Sequence, residues 1–264
     1  MNFGVIIIGD EILSGKRADK HLPKLIELLA ARGLALSWAR YVGDDPARIT
    51  ADLKHAFESG DVVFSCGGIG ATPDDHTRQC AAAALGVPLA LHPQARELIL
   101  ERMRDTAAEQ GISFEPDRHD NVHRLNMGVF PEGAQIIPNP YNKIAGFTVG
   151  RVHFVPGFPV MAWPMIESVL DQHYADLHGQ GAQPEKSVIV FGAMEATLTP
   201  LMQRIEAEFD GVKVFSLPSV DHPEWGRHIE LGVKGRADQL DAAYRVMLDG
   251  LASHGAKLGP ELVR

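Results

Sequence analysis

The amino-acid sequence predicts an α/β protein with a mainly parallel sheet covered by helices on both faces as a three-layer domain, followed by a small α+β domain. Three observations predict it. Short apolar runs alternate with amphipathic segments through the first 110 residues, the pattern of a parallel sheet with crossover helices. Glycine-rich or acidic loops follow the first three apolar runs. The alternation then restarts after Gly179-Gln180-Gly181-Ala182-Gln183-Pro184. The expected domains are therefore 1–178 and 185–264.

The first strand is Phe3–Ile8, an unbroken apolar run that suits a strand buried on both faces. A helix over His21–Arg32 follows, then a strand over Ala35–Tyr41, a helix over Ala47–Ser59 behind Pro46, and a strand over Val62–Phe64. A helix is expected over Thr72–Leu85, with Thr72 as N-cap, Pro73 at the first helical position, an acidic residue at the third and a stop at Gly86. A long amphipathic helix spans Pro93–Gln110. The stretch 115–159 is proline-rich and helix-poor, with β-like runs at Gln135–Ile137 and Arg151–Val155 and much turn chemistry between them. A helix over Val160–Leu177 closes the first domain. In the second, strands are expected at Lys186–Phe191, Lys213–Leu217 and His228–Lys234, with helices at Glu195–Phe209 and Ala237–Ser253.

Composition excludes several function classes. The 264 residues are 45% hydrophobic and 22% charged, enough for a substantial core, and the formal net charge is −9. That acidic balance opposes a nucleic-acid or anionic-membrane surface, which needs clustered Lys and Arg. No apolar run approaches a membrane span and no leader pattern precedes Phe3, so a cytoplasmic location is expected. Two cysteines, Cys66 and Cys80, make neither a zinc spacing nor a disulfide framework and read as buried thiols. His119 and His123 can share a helix face, with Asp117 and Asp120 nearby; the group reads as a solvated polar turn, with a metal site as the minor alternative.

The chemistry concentrates in Ser65-Cys66-Gly67-Gly68-Ile69-Gly70-Ala71-Thr72-Pro73-Asp74-Asp75-His76-Thr77. Gly67, Gly68 and Gly70 permit backbone conformations in which main-chain N–H groups converge on an anion. Asp74 and Asp75 have a structural reading, complementing a helix dipole. Yet two carboxylates at an anion cradle would repel phosphate by about 4 kcal/mol per pair at 4 Å and an effective dielectric near 20. A divalent cation removes that conflict, and Mg²⁺ is held by one or two carboxylates plus phosphate oxygens. The expected cofactor is Mg²⁺ or another divalent cation. The segment matches neither a P-loop nor a dinucleotide fingerprint.

Ligands of parallel sheets sit beyond the carboxyl ends of the strands. There the first strand delivers Gly9-Asp10-Glu11-Ile12-Leu13-Ser14-Gly15 and then Asp19, and the second delivers Val42-Gly43-Asp44-Asp45-Pro46. Asp44 and Asp45 also suit a helix cap ahead of Pro46. Lys143, the only basic residue of Pro138–Phe147, is a candidate phosphate contact.

Together Gly9–Gly15, Val42–Asp45, Gly67–Thr77, Pro138–Phe147 and Pro156–Pro159 resemble the molybdopterin-binding domain shared by molybdenum-cofactor biosynthesis proteins and the competence/damage-inducible protein A family. The resemblance covers about the first 175 residues; residues 185–255 resemble the small middle domain of the competence branch, and no deamidase domain is expected. It implies that Asp44 and Asp75 occupy key acidic positions; Asp75, Asp74 and Asp44 are then the expected metal ligands, and either Asp44 or Glu11 the carboxylate that orients water. It also implies that the Gly67, Gly68, Gly70, Ala71 and Thr72 backbone cradles phosphate and that Ser14 and Gly15 line the same pocket. Members bind or adenylylate a pterin phosphate, and relatives hydrolyse ADP-ribose-like pyrophosphates with a divalent metal. The resemblance therefore implies a phosphorylated pterin, molybdopterin included, or an adenine nucleotide as ligand, with cleavage of ADP-ribose or FAD-like dinucleotides and non-catalytic scaffolding as alternatives. Partners are expected to be that small ligand and further copies of the chain, not nucleic acid or membrane. Where the competence family has a small Gly-Thr-Ala-Pro-Gly segment, this chain has Asn142-Lys143-Ile144-Ala145-Gly146, an extra cation and more bulk.

Overall fold

The computed structural model describes residues 1–179 and 184–263, with Asp120 described by its backbone. The chain divides into two units, Met1–Gly181 and Ala182–Arg264. Of the expected linker 179–184, positions 180–183 lie outside the described residues.

In the first unit the elements run β1 (Phe3–Ile8), α1 (Asp10–Leu13), α2 (His21–Ala30), β2 (Leu36–Val42), α3 (Pro46–Ser59), β3 (Val62–Cys66), α4 (Thr77–Leu85), β4 (Leu89–Leu91), α5 (Pro93–Gln110), α6 (His119–Leu125), β5 (Val129–Pro131), β6 (Gln135–Ile137), β7 (Gly146–Val149), β8 (Val152–Val155) and α7 (Pro159–His173). One six-stranded sheet has the order β2-β1-β3-β8-β7-β6. Its first four strands are parallel and β7 and β6 close it antiparallel. β4 and β5 make a separate antiparallel ribbon.

The continuous apolar runs explain the layering, because every residue of β1 and β3 is buried. Phe3, Val5 and Ile7 face Leu25, Leu28 and Leu29 of α2 and Met165, Ile166 and Val169 of α7. Ile6 and Ile8 face Ile49 and Leu53 of α3 and Cys80 and Ala81 of α4. On the antiparallel side Phe147 and Phe154 stack at 4.3 Å between ring centroids, and Phe130 stacks on Phe147 at 4.7 Å. Gly146 makes this edge close-packed: a Cβ there would meet the Phe154 carbonyl oxygen at 2.3 Å. Both cysteines are free and buried. No helix among the described residues is long and apolar enough to cross a membrane.

The second unit contains β9 (Glu185–Phe191), α8 (Glu195–Glu208), β10 (Val212–His222), β11 (Gly226–Gly235), α9 (Ala237–Ser253) and β12 (Lys257–Val263). Its antiparallel sheet, ordered β10-β11-β9-β12, packs Val188, Val190, Leu231 and Val233 against Leu198, Ile205, Met247 and Leu251 of the two helices. The two β10 and β11 strands are longer than expected and β12 is an addition.

One helix start differs from expectation. α4 begins at Thr77, not Thr72. The capping-box bond does form, since the Asp75 Oδ2 accepts from the Thr72 amide at 2.8 Å and from its hydroxyl at 2.5 Å. It closes a single turn, with the Asp75 amide donating to the Thr72 carbonyl at 3.0 Å. The helix cannot propagate from there because the Thr77 amide returns to the Gly68 carbonyl at 3.0 Å, anchoring α4 to the glycine loop. Asp74 and Asp75 therefore belong to the loop.

Candidate functional site

All four parallel strands end at one cavity of about 460 Å³. Ile8 and Gly9 leave β1, Asp44 follows β2, Gly67 to Gly70 follow β3, and Pro156, Gly157 and Phe158 follow β8. This is the crevice that parallel topology provides. Two carboxylates brace the strand ends. Asp19 accepts from the His21 and Leu22 amides and from the Tyr41 hydroxyl, at 2.8, 3.1 and 2.9 Å, so it caps α2. Asp45 accepts from the Ala47 and Arg48 amides at 2.8 and 3.0 Å, so it caps α3 and leaves the site to Asp44. The buried His21 donates from Nε2 to the Gly157 carbonyl at 3.0 Å and holds the turn after β8.

The glycine loop forms one wall. Gly67 and Gly68 have φ of +106° and +68°, values that favour glycine. The Gly67 amide donates to Val155 and the Thr72 amide to Asp75. Between them the amides of Gly68, Ile69, Gly70 and Ala71 have no acceptor among the described residues, and all four residues line the cavity. The cause lies behind the loop. Arg78 on α4, 4% exposed, donates from Nη1 to the Ile69 carbonyl and from Nη2 to the Gly70 carbonyl, the latter at 2.7 Å. Thr77 takes the Gly67 carbonyl with its hydroxyl and the Gly68 carbonyl with its amide, each at 3.0 Å. With four consecutive carbonyls drawn inward their peptide amides turn out, and a guanidinium charge sits behind the row of donors. Burial pushes the Arg78 pKa down while the nearby Asp75 opposes that shift. Such a row of N–H groups over a cation has the chemistry to accept an anion.

Four carboxylates, from Glu11, Asp44, Asp74 and Asp75, line the same cavity. Glycines make room for them: a Cβ at Gly9 would meet Glu11 Oε2 at 2.6 Å, at Gly43 Asp10 Oδ1 at 2.4 Å, and at Gly70 Asp75 Oδ2 at 2.6 Å. Asp10 and Asp44 lock two loops together, the Asp10 amide donating to Asp44 Oδ2 at 2.9 Å and the Asp44 amide to Asp10 Oδ1 at 3.2 Å. Burial pushes the Asp44 carboxyl above its ordinary value, with Asp10, Glu11 and Asp74 adding like charge and the Asp10 amide working against the shift. Among the described residues no three His, Cys, Asp or Glu side chains converge as a ready-made metal site.

Of the residues expected at the site, Glu11, Asp44, Gly67, Gly68, Gly70, Ala71, Thr72, Asp74 and Asp75 line the cavity. Ser14, Gly15 and Lys143 do not. Ser14 and Gly15 end α1, their amides donating to the Asp10 and Ile12 carbonyls. Lys143 adopts a left-handed φ of +65°, which turns it away to Asp105 and Glu101 of α5 at 2.8 and 3.4 Å. Its neighbours Asn142, Ile144 and Ala145 face the cavity instead. The cation at the cavity is Arg17, whose side chain has no ion-pair partner among the described residues. The opposite wall is apolar, from Met127, Ile144, Met161 and Phe158, the last 56% exposed. Arg17, Arg78, Met127 and Met161 were not legible as site residues, because no local motif marks them, whereas Ile144 and Phe158 lie in segments that carry the family resemblance.

The comparisons with known proteins agree with this geometry. Residues 4–176 match the family described as a probable molybdopterin binding domain. A CinA-like protein of Anaeromyxobacter sp. strain K is 35% identical over 164 residues, 61% of this chain, and the chain spans only 38% of that relative's length. Protein TV0584 of Thermoplasma volcanium is 29% identical over 255 residues, covering 94% of this chain and 92% of its own. The crystal structure of a CinA protein of unknown function from Thermoplasma acidophilum superposes with a TM-score of 0.53 at 27% identity, covering 64% of this chain and 96% of that one. With the match running from β1 through α7 and including every strand end that builds the cavity, the chain belongs to the molybdopterin-binding domain family.

Proposed function

We propose that the cavity binds a phosphorylated heterocycle, either a pterin phosphate or an adenine nucleotide, together with a divalent cation that bridges the ligand's phosphate to the carboxylates. One observation carries this reading: four consecutive partnerless amides, whose peptide carbonyls are taken by Thr77 and buried Arg78, share one cavity with four carboxylates. Donors for phosphate and acceptors for a cation in one hollow fit a metal–phosphate unit better than either component alone. The apolar wall of Met127, Ile144, Phe158 and Met161 offers a surface for a planar ring.

The donor set fits Mg²⁺ in a specific sense. With no triad of ligands converging among the described residues, the cation needs phosphate oxygens to complete its coordination, so it is expected to arrive with the ligand. Asp75 would hold it, with Asp74 at the exposed rim, and it would supply charge neutralisation to the phosphate, leaving Asp44 free to take a proton. Arg17 reaches the ligand's distal charge, the role expected of Lys143.

A hydrolytic reading is favoured by Asp44, whose raised proton affinity suits a group that takes a proton from water. In cleavage of an ADP-ribose or FAD-like pyrophosphate, water adds to one phosphorus, its proton passes to Asp44, and one P–O–P bond breaks to give two phosphate monoesters. Incubating the protein with Mg²⁺ and a panel of adenine dinucleotides tests this directly. AMP release that Asp44→Asn abolishes is the expected result; no release from the unaltered protein ends the hydrolytic reading, and calorimetric titration of nucleotides and pterin phosphates then decides whether the cavity is a binding site without turnover.

A further inference from the structure

Outside the cavity, the face of α6 brings two imidazoles together. His119 and His123 stand four residues apart on this helix and are both exposed. Their Nε2 atoms lie 3.2 Å from each other, with ring centroids 4.4 Å apart and the rings inclined at 72°. Two Zn–N bonds of about 2.0–2.1 Å separate their nitrogens by about 2.9 Å at a right angle and about 3.4 Å at a tetrahedral one. The observed spacing falls between these limits. Histidines at i and i+4 on one helix face are also the pairing that metal-binding helices use.

The helix is held so that this face stays outward. Buried Asn121 lies between the two histidines in sequence, its Nδ2 donating to the Glu115 carbonyl at 2.6 Å. Neither imidazole lines the cavity described above. We propose that His119 and His123 chelate a borderline divalent transition ion, of the Zn²⁺, Ni²⁺ or Cu²⁺ class, through their Nε2 atoms. Imidazole favours these ions over Mg²⁺, which takes oxygen ligands. Among the described residues no third His, Cys, Asp or Glu joins the pair. The protein thus carries two metal preferences: oxygen ligands with phosphate in the cavity, and nitrogen ligands on α6. A bound ion would tie the first residue of α6 to its second turn, three residues before Asn126 opens the segment that carries Met127 on the cavity wall.

The test uses the full, tag-free chain and Cu²⁺ or Ni²⁺ alone. Calorimetry is expected to show one high-affinity site per chain, and the Cu²⁺ paramagnetic resonance spectrum of the unaltered protein to show two coordinated imidazole nitrogens. His119→Gln and His123→Gln should each weaken binding by about tenfold or more, as one arm of a chelate is lost. Both positions are exposed and Gln suits a helix, so circular dichroism should be unchanged. Binding of Mg²⁺ and nucleotide in the cavity should also be unaffected. The proposal is overturned if the double variant binds Cu²⁺ as tightly as the unaltered chain, or if the unaltered chain's spectrum shows a single nitrogen; in either case the close approach of the rings is only a hydrogen bond between two imidazoles.

Discussion

Arg78→Met removes the guanidinium while keeping most of its apolar stem, and its consequences follow from two hydrogen bonds. The side chain is 4% exposed and serves the carbonyls of Ile69 and Gly70. A hydrogen bond to a charged group contributes about 1.5–3 kcal/mol, and a buried acceptor left without a donor costs about 1–3 kcal/mol. Ile69 is buried whereas Gly70 is half-buried, so water can recover part of the second loss. The expected destabilisation is therefore about 3–5 kcal/mol. Arg78→Lys separates charge from geometry, since an ammonium cannot fork to two carbonyls at once, and should lose about half as much. Urea denaturation at pH 7 reads the stability. Nucleotide titration under conditions where the variants remain folded reads the cradle, and both variants should bind more weakly because the amides of Gly70 and Ala71 are no longer held outward. An Arg78→Met protein with unchanged midpoint and unchanged affinity would refute the claim that this residue builds the anion receptor.

Three further outcomes are expected. Asp75→Ala should lower stability by about 1–2 kcal/mol through loss of the Thr72 clasp, whereas Asp75→Asn keeps an acceptor and most of the stability; both should lose divalent-dependent ligand binding, and a normal affinity in Asp75→Asn would show that only the turn matters. Arg17→Ala should weaken binding of an anionic ligand by about tenfold, while Lys143→Gly leaves affinity unchanged, since Lys143 serves α5; the opposite ranking would return the phosphate contact to Lys143. His153 is 1% exposed, bonded to Thr148 and Tyr174, and burial depresses its pKa to about 3, with His173 adding to the effect. Because the folded state binds this proton more weakly than the unfolded chain, stability is full above pH 6.5 and falls as pH drops from there toward 3. The slope reaches about 1.4 kcal/mol per pH unit, and His153→Phe should flatten that limb of the urea-midpoint profile.

Much of the fold was legible because its strongest signals are local. An unbroken run such as Phe3–Ile8 has only one economical place, the middle of a covered sheet, and its loop then had to emerge at the carboxyl edge. The capping signature at Thr72 was also real, but it predicts a hydrogen bond rather than a helix; the bond from Thr77 back to Gly68 decided where α4 begins. β4, β5 and β7 are three or four residues long and lie where proline and glycine dominate, so periodicity could not reveal them. Lys143 was misplaced because one left-handed residue reverses the direction of its side chain. Arg78 was hidden more deeply: its partners are main-chain carbonyls, which leave no trace in residue identity.

The central claim is that cation and phosphate enter the cavity as one unit, and calorimetric titration of Mg²⁺ in the absence and presence of saturating ADP-ribose measures it most directly. Weak Mg²⁺ binding alone, strengthened by at least about tenfold with the nucleotide and reciprocally for the nucleotide with Mg²⁺, is the predicted result. Nucleotide affinity identical in Mg²⁺ and in EDTA would contradict it, for the four carboxylates would then have no cation to gather.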